Sequence, residues 1–504
     1  MNSLASSGRK PAAGVLFRWH RRLGVIACLG ILMWGVSGVL HPFMSRLKPE
    51  QATHTPPDQH VELTQAIPLD QLLAQHSLTG INGFRTLLWA GKSYYQINHA
   101  GRVLYFETAT GAAVPDGDQR YAEFLARHYL GDQQARILRI EPVTQFGGDY
   151  TFVNRFLPVY RVEFERPDGM LAYIDTQASR LGTLVDDRQA IFQNLFRALH
   201  NWEFLAFNEP LRVTVAASIV GMAFISACSG LWLYGFLWRR GATTSSMQTN
   251  PHGLRRHHRT VGLTVAVAAL MFSMSGLLHL LTDAQRRQAQ APAIPVHFPA
   301  TALTPAGFSA MQNHAIAADH VTLVRLPQGI YYRIAPALQH HSADAHHTNS
   351  TESPTPHTPV VYIDARNGTT LAQGEALHAR YLSDVFSELP DSLIESVAPV
   401  MRYTGEYGAF YKRLPVYRVN YATPARDRYY VEIATGQLAG HFQDSTFVAV
   451  EDWTFDNLHK WHFLDKLGPD KWVRDIVMAL LALGLVTVAL LGLTLFLRRA
   501  PRTP

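Results

Sequence analysis

Four stretches of this chain run for about 20 residues or more without Asp, Glu, Lys or Arg: Leu23 to Ser45, Val213 to Trp238, Thr260 to Thr282 and Ile476 to Leu497. As α-helices each is long enough to cross a hydrocarbon core of about 30 Å, so the pattern predicts an integral membrane α-helical protein with four transmembrane helices. Elsewhere the period shortens. Tyr94-Tyr95-Gln96-Ile97, Val103-Leu104-Tyr105-Phe106, Val159-Tyr160-Arg161-Val162-Glu163-Phe164 and Tyr417-Arg418-Val419-Asn420-Tyr421 alternate in the manner of half-buried strands. Gly111, Gly368 and Gly436, each after Thr or Asn, supply the positive φ that tight hairpins need. These segments predict small α+β domains, two in each half of the chain.

Charge then orients the helices. Residues 1 to 22 carry five Lys or Arg, 239 to 259 carry five and 498 to 504 carry three, all without an acidic residue. By the positive-inside rule these segments and both termini stay in the cytoplasm. The segments 46 to 210 and 283 to 472 hold every acidic residue but Asp475 and are expected outside, in the periplasm if the cell has two membranes. The net charge of +6 is this inside signal plus contact with anionic headgroups, which sets nucleic acid aside as a partner. Both cysteines, Cys28 and Cys228, lie in predicted spans, so no thiolate cluster for iron–sulfur or structural zinc is available. The Arg-rich start of the first span could belong to a cleavable leader, but a similar segment in mid-chain cannot, and the first span is read as retained.

The chain repeats itself. Arg18-Trp19-His20-Arg21-Arg22-Leu23-Gly24 opens a span that ends Ser37-Gly38-Val39-Leu40-His41, and Arg256-His257-His258-Arg259-Thr260-Val261-Gly262 opens one that ends Ser275-Gly276-Leu277-Leu278-His279. Leu157-Pro158-Val159-Tyr160-Arg161-Val162 recurs unchanged at 414 to 419, and a Leu-His-x-Trp-x-Phe-Leu string occurs at 199 to 205 and 458 to 464. Two equivalent halves, about an axis along the membrane normal, are the expected architecture. The expected regions are 1–45 for the cytoplasmic N-terminus and first span, 46–190 for an outer domain region, and 191–240 for an interfacial helix and second span. A cytoplasmic loop (241–259), the third span (260–282), a second outer region (283–450), and an interfacial helix, fourth span and cytoplasmic tail (451–504) follow. Residues 340–358, with five histidines, are expected to be a solvated, disordered insert, with transition-metal binding as the alternative.

The histidines carry the candidate chemistry, since an ionisable residue at membrane depth is costly and usually functional. His20 and His41 are 21 residues apart, about 31 Å along a helix at 1.5 Å per residue, so they cannot share one metal; the same holds for His258 and His279. The Leu-His strings lie on amphipathic segments expected to rest flat at the interface, with Trp202 and Trp461 at headgroup level. They would direct His200 and His459 towards His41 and His279. Two bis-histidine haem sites are expected on the outer face, most simply His41 with His200 and His279 with His459, with pairing between halves left open. His20 and His258 would hold a third haem, serve electron entry, or act only as interfacial anchors. Two neutral imidazoles per iron suit electron transfer, because no coordination position stays open to oxygen. Zinc or copper would use the same residues, but no carboxylate or thiolate stands at matching places in both halves. A metal permease would need a repeated polar track in mid-span, which Ser226, Ser229, Thr264, Ser273 and Thr487 do not form. Gly24, Gly30, Gly35, Gly38, Gly262 and Gly276 are suited to close helix contact or to a flat macrocycle. Ser37 and Ser275 could bond their own helix or a haem propionate.

Taken together, the Arg-Trp-His-Arg-Arg-Leu-Gly opening, the Ser-Gly-x-Leu-His ending, the Thr-Gly hairpins and the Leu-His-x-Trp-x-Phe string resemble the PepSY-associated transmembrane family, which includes PiuB-like and FoxB-type siderophore-iron reductases. The resemblance covers nearly the whole chain outside the His-rich insert. It implies a haem b protein of the bacterial inner membrane that reduces ferric siderophores or other ferric complexes, with PepSY-like domains forming the periplasmic face. No Gly-x-Gly-x-x-Gly follows a strand, so the electrons are expected from membrane quinol or a separate cytoplasmic reductase. Tyr160, Arg161, Tyr417 and Arg418 are candidates for a docking surface or, equally, ordinary sheet positions. The competing expectation is a non-enzymatic membrane receptor whose PepSY domains bind peptides or restrain a protease.

Overall fold

The computed structural model describes residues 9–58, 60–233, 253–286, 295–316, 318–336, 359–468 and 471–498. The His-rich stretch 340–358 and the end of the second predicted span therefore lie outside the described residues. Two units make up the chain, one from Met1–Lys48, Arg188–Gln290 and Ser445–Pro504, the other from Pro49–Asp187 and Ala291–Asp444.

The first unit is helical. Its long helices Arg9–Arg46, Glu209–Leu231, Gly253–Arg286 and Trp472–Leu497 match the four predicted spans, and each is long and apolar enough to cross a membrane. Leucine, isoleucine and valine side chains such as Ile225, Val267, Leu480 and Leu483 point outward, as a lipid-facing bundle requires. The second helix starts where the Asn208 side chain accepts the Leu211 N–H at 3.0 Å and Pro210 occupies the first turn, whose N–H groups have no partner within the helix. Glycines allow the close contacts: a Cβ on Gly30 would meet Ile219 at 2.5 Å, and one on Gly35 would meet Val486 at 2.6 Å.

The second unit is sheet-rich, and here the predicted partition into separate domains for each half gives way. A six-stranded sheet runs in the order Val361–Asp364, Gly329–Pro336, Ala318–Leu326, Gly83–Trp89, Lys92–His99, Arg102–Glu107, joining strands from both halves through the antiparallel pair Arg85 and Thr322. Its core packs Tyr95, Phe84 and Ile97 with Tyr332, Ile334, Phe308 and Met311. Two four-stranded antiparallel sheets complete the unit, Ile137–Val143 through Arg180–Val185 and Ile394–Val400 through Gln437–Phe442. Against them lie the helices Gly117–Leu130 and Gly374–Ser387. Both helices begin on a glycine for the same reason: a Cβ on Gly117 would lie 2.6 Å from Tyr105, and one on Gly374 would meet the Tyr362 ring.

Candidate functional site

In the helical unit the first long helix packs on the second and fourth, and the third packs on the same two, so the first and third stand diagonally across the bundle. Between them runs a cavity of about 1500 Å³ with walls from residues such as Val25, Val220, Ala266 and Leu485. All six histidines singled out in the sequence line it: His20, His41, His200, His258, His279 and His459. His257 is exposed and does not line it.

At one end the rings are tied to main chain. His20 Nδ1 lies 3.0 Å from the Ser226 carbonyl and 3.0 Å from Ser229 Oγ, and His258 Nδ1 lies 3.1 Å from the Val488 carbonyl. A carbonyl oxygen only accepts, so each ring carries its proton on Nδ1 and keeps a lone pair on Nε2. Gly230 and Gly492 make the room: a Cβ on either would come within 3.1 Å of the imidazole Cε1. Neither glycine stood out in the sequence, because a small residue near the end of an apolar helix has many ordinary uses.

At the other end the rings are tied to hydroxyls. Ser37 Oγ donates to the Trp34 carbonyl at 2.9 Å and stands 3.0 Å from His200 Nδ1. Ser275 Oγ donates to the Met271 carbonyl at 2.7 Å and stands 3.2 Å from His459 Nδ1. With its only proton committed to a carbonyl, each serine accepts from Nδ1–H, and Nε2 again keeps its lone pair. Of the two uses considered for these serines, bonding their own helix is observed, and each serine also orients a histidine. Burial holds His200 at a pKa of about 4 and His459 at about 3, so both are neutral near pH 7. Their rings meet edge to face, 6.3 Å between centres and 82° apart in plane.

The ring contacts bring His200 to His459 rather than either to the neighbour expected within its own half. His41 and His200 each contact Phe196, at 5.6 and 4.6 Å between ring centres, while His279 and His459 each stack on Phe455, at 3.8 and 5.0 Å. Within each half a phenyl ring is the shared neighbour; ring to ring, His200 meets His459 from the other half. His279 has a further partner that sequence reading missed: its Nδ1 donates to Glu451 Oε1 at 2.8 Å, and Glu451 is 1% exposed. A signal existed, since Glu451, Phe455 and His459 are spaced four apart and share one helix face.

The His200 ring is carried by the helix Asp187–Leu199, and His459 by Thr446–Thr454 and the π-helical turn Phe455–His459 that continues it. Trp202 and Trp461 then reverse the chain with φ of +55° and +54°. Trp202 was expected at headgroup level but is 2% exposed, stacked on Trp34 at 5.1 Å, whose indole N–H donates to the His200 carbonyl at 3.0 Å. The apolar groups left outside include Ile191, Leu195, Phe204 and Phe207 in the first segment and Phe447, Trp453 and Phe463 in the second. In the other unit, Tyr160, Arg161, Tyr417 and Arg418 take the plainer role: Arg161 pairs with Glu163, Arg418 bonds Asn420, and Tyr417 donates to Glu375 at 3.0 Å, all within the sheets and the helices on them.

Among the described residues no group of three or more His, Cys, Asp or Glu could hold a bare metal ion. Residues 17–499 match the family described as the PepSY-associated TM region, and the chain belongs to that family. No curated protein matches it.

Proposed function

We propose that this chain is a haem b-containing electron-transfer protein of the bacterial inner membrane that reduces ferric siderophores or other ferric complexes at the periplasmic face during iron uptake. The observation that carries the reading is four imidazoles in two sets, one at each end of a single bundle cavity, every one with Nδ1 hydrogen-bonded and Nε2 left as a lone pair. A metal-ligating histidine needs that arrangement, the second nitrogen bonded so that tautomer and ring orientation are fixed. His200 and His459 are separated by 6.3 Å, room for one ion bonded at about 2 Å to a nitrogen of each ring.

On this reading His200 and His459 hold one haem and His20 and His258, from the diagonal helices, hold another. Haem bound by two imidazoles supplies a one-electron couple without an open site for oxygen. The chain's own residues do the rest. Ser37, Ser275 and the Ser226 and Val488 carbonyls orient the ligands, Gly230 and Gly492 leave them space, and the apolar walls keep water out. The basic flanks support a cytoplasmic His20 end, where the exposed Arg255 and Arg256 would meet a soluble reductase, with membrane quinol as the other donor. The His200 end then faces the periplasm. Siderophores bind Fe(III) through hard oxygen donors, and one added electron gives Fe(II), a poorer match that exchanges readily.

The test is to purify the full chain in detergent, record the reduced-minus-oxidised spectrum and mix the reduced protein with a ferric siderophore. A b-type spectrum that reoxidises as Fe(II) appears supports the proposal. A folded, colourless protein would leave the peptide-binding receptor as the better account.

A further inference from the structure

The two halves build the same pair of neighbours for their outer histidines and then differ at one position. Two helical turns before His200 stands Phe192; two turns before His459 stands Glu451. The carboxylate is buried, and it accepts the Nδ1 proton of His279 at 2.8 Å. His279 lies face to face with Phe455 at 3.8 Å and 18°, and Phe455 stacks on His459 at 5.0 Å and 19°. On the His41 side the corresponding stack has Phe196, but the nearby acid, Asp475, is engaged by Arg46 at 2.9 Å and Arg474 at 3.2 Å. A buried carboxylate is costly to keep, so its presence in one half only calls for a role there.

We propose that Glu451 is a positioning residue that acts through His279 on the site held by His200 and His459, lowering its midpoint potential and making its two sides electrically unequal. The inference rests on the haem reading above. The physical reason is twofold. A carboxylate bonded to an imidazole N–H increases electron density on that ring. Electron density beside a metal centre in a medium of low dielectric favours the oxidised state. Glu451 also fixes the His279 tautomer, with Nε2 as the lone-pair nitrogen of a ring that lines the cavity.

Redox titration of the full-length protein, followed by its visible spectrum, tests this. Glu451→Gln is expected to raise the midpoint of one of the two couples, leave the other in place and keep the haem content of the wild type, and Glu451→Asp to return the midpoint towards wild type. If Glu451→Gln does not fold, His279→Asn must raise the same couple. Unmoved midpoints in a haem-replete Glu451→Gln protein, or in His279→Asn where that variant stands in, overturn the inference and leave the haem reading intact. A wild type without haem overturns both.

Discussion

The two halves of the chain place their histidines alike and surround them differently. In both, a buried serine of a long helix orients the histidine of a Leu-His string, and a phenylalanine one turn earlier packs on it. Away from the imidazoles the polar filling changes. Where the first half has Phe192, the second has Glu451. Beneath the helix Gly117–Leu130, Gln96 donates to Tyr105, which donates to Asp118, and burial raises the Asp118 carboxyl above its usual pKa. Beneath Gly374–Ser387 the same neighbourhood holds an ion pair, Arg333 with Glu375 at 2.8 Å. Tyr121 in the first helix is answered by His378 in the second. The halves agree where an imidazole must be presented and diverge where burial only demands that polar groups be satisfied.

The largest effect should come from breaking that agreement. His200→Ala, His459→Ala and the double variant are each expected to remove the same one haem, measured as bound haem per chain; if the double loses more than either single, the pairing across halves is wrong. Next, Gly230→Val and Gly492→Val should displace His20 and His258 in turn, each emptying that end of the cavity while the spectrum of the other end persists. Loss at both ends would show instead that the bundle had collapsed.

The divergent positions give smaller contrasts. Arg333→Ala removes a buried guanidinium that gives two charge-assisted bonds to the half-buried Glu375, and should cost about 3–5 kcal/mol. Gln96→Ala removes two neutral bonds, to the Tyr105 hydroxyl and the Thr176 carbonyl, and should cost about 1–3 kcal/mol, so the difference between the two variants in denaturant unfolding measures what the charge pair adds. The last contrast is a pH effect at the position where His378 answers Tyr121. Burial, with Arg333 nearby, lowers His378 from 6.5 to about 3. The unfolded chain takes up that proton near pH 6.5, so the stability tied to neutral His378 is present above that pH and lost as pH falls towards 3. His378→Tyr, which copies Tyr121, should flatten the dependence in thermal unfolding; an unchanged slope would mean another group sets it.

Much of this was legible in the sequence, for definable reasons. The spans follow from charge-free length, and Val159–Phe164 and Val416–Tyr421 follow from alternation; both appear as read. The six histidines were found because they repeat at apolar boundaries, and all line one cavity. The approach of His200 to His459 was not legible: it depends on helix rotation and on Phe196 and Phe455, whose spacing signals only an apolar face. The shared six-stranded sheet was hidden as well, because the strands on either side of the Arg85 and Thr322 pair carry the same alternation whether they end a sheet or continue one. Trp202 was misplaced because an indole suits an interface and a buried stack equally well.

The most direct measurement is the number of haem groups bound by the purified full-length chain and by His20→Ala with His459→Ala combined. Two per wild-type chain and none in the combined variant is the predicted result, since one ligand is then missing from each end of the cavity. A wild type with no haem, or a combined variant that keeps its full complement, would contradict the account.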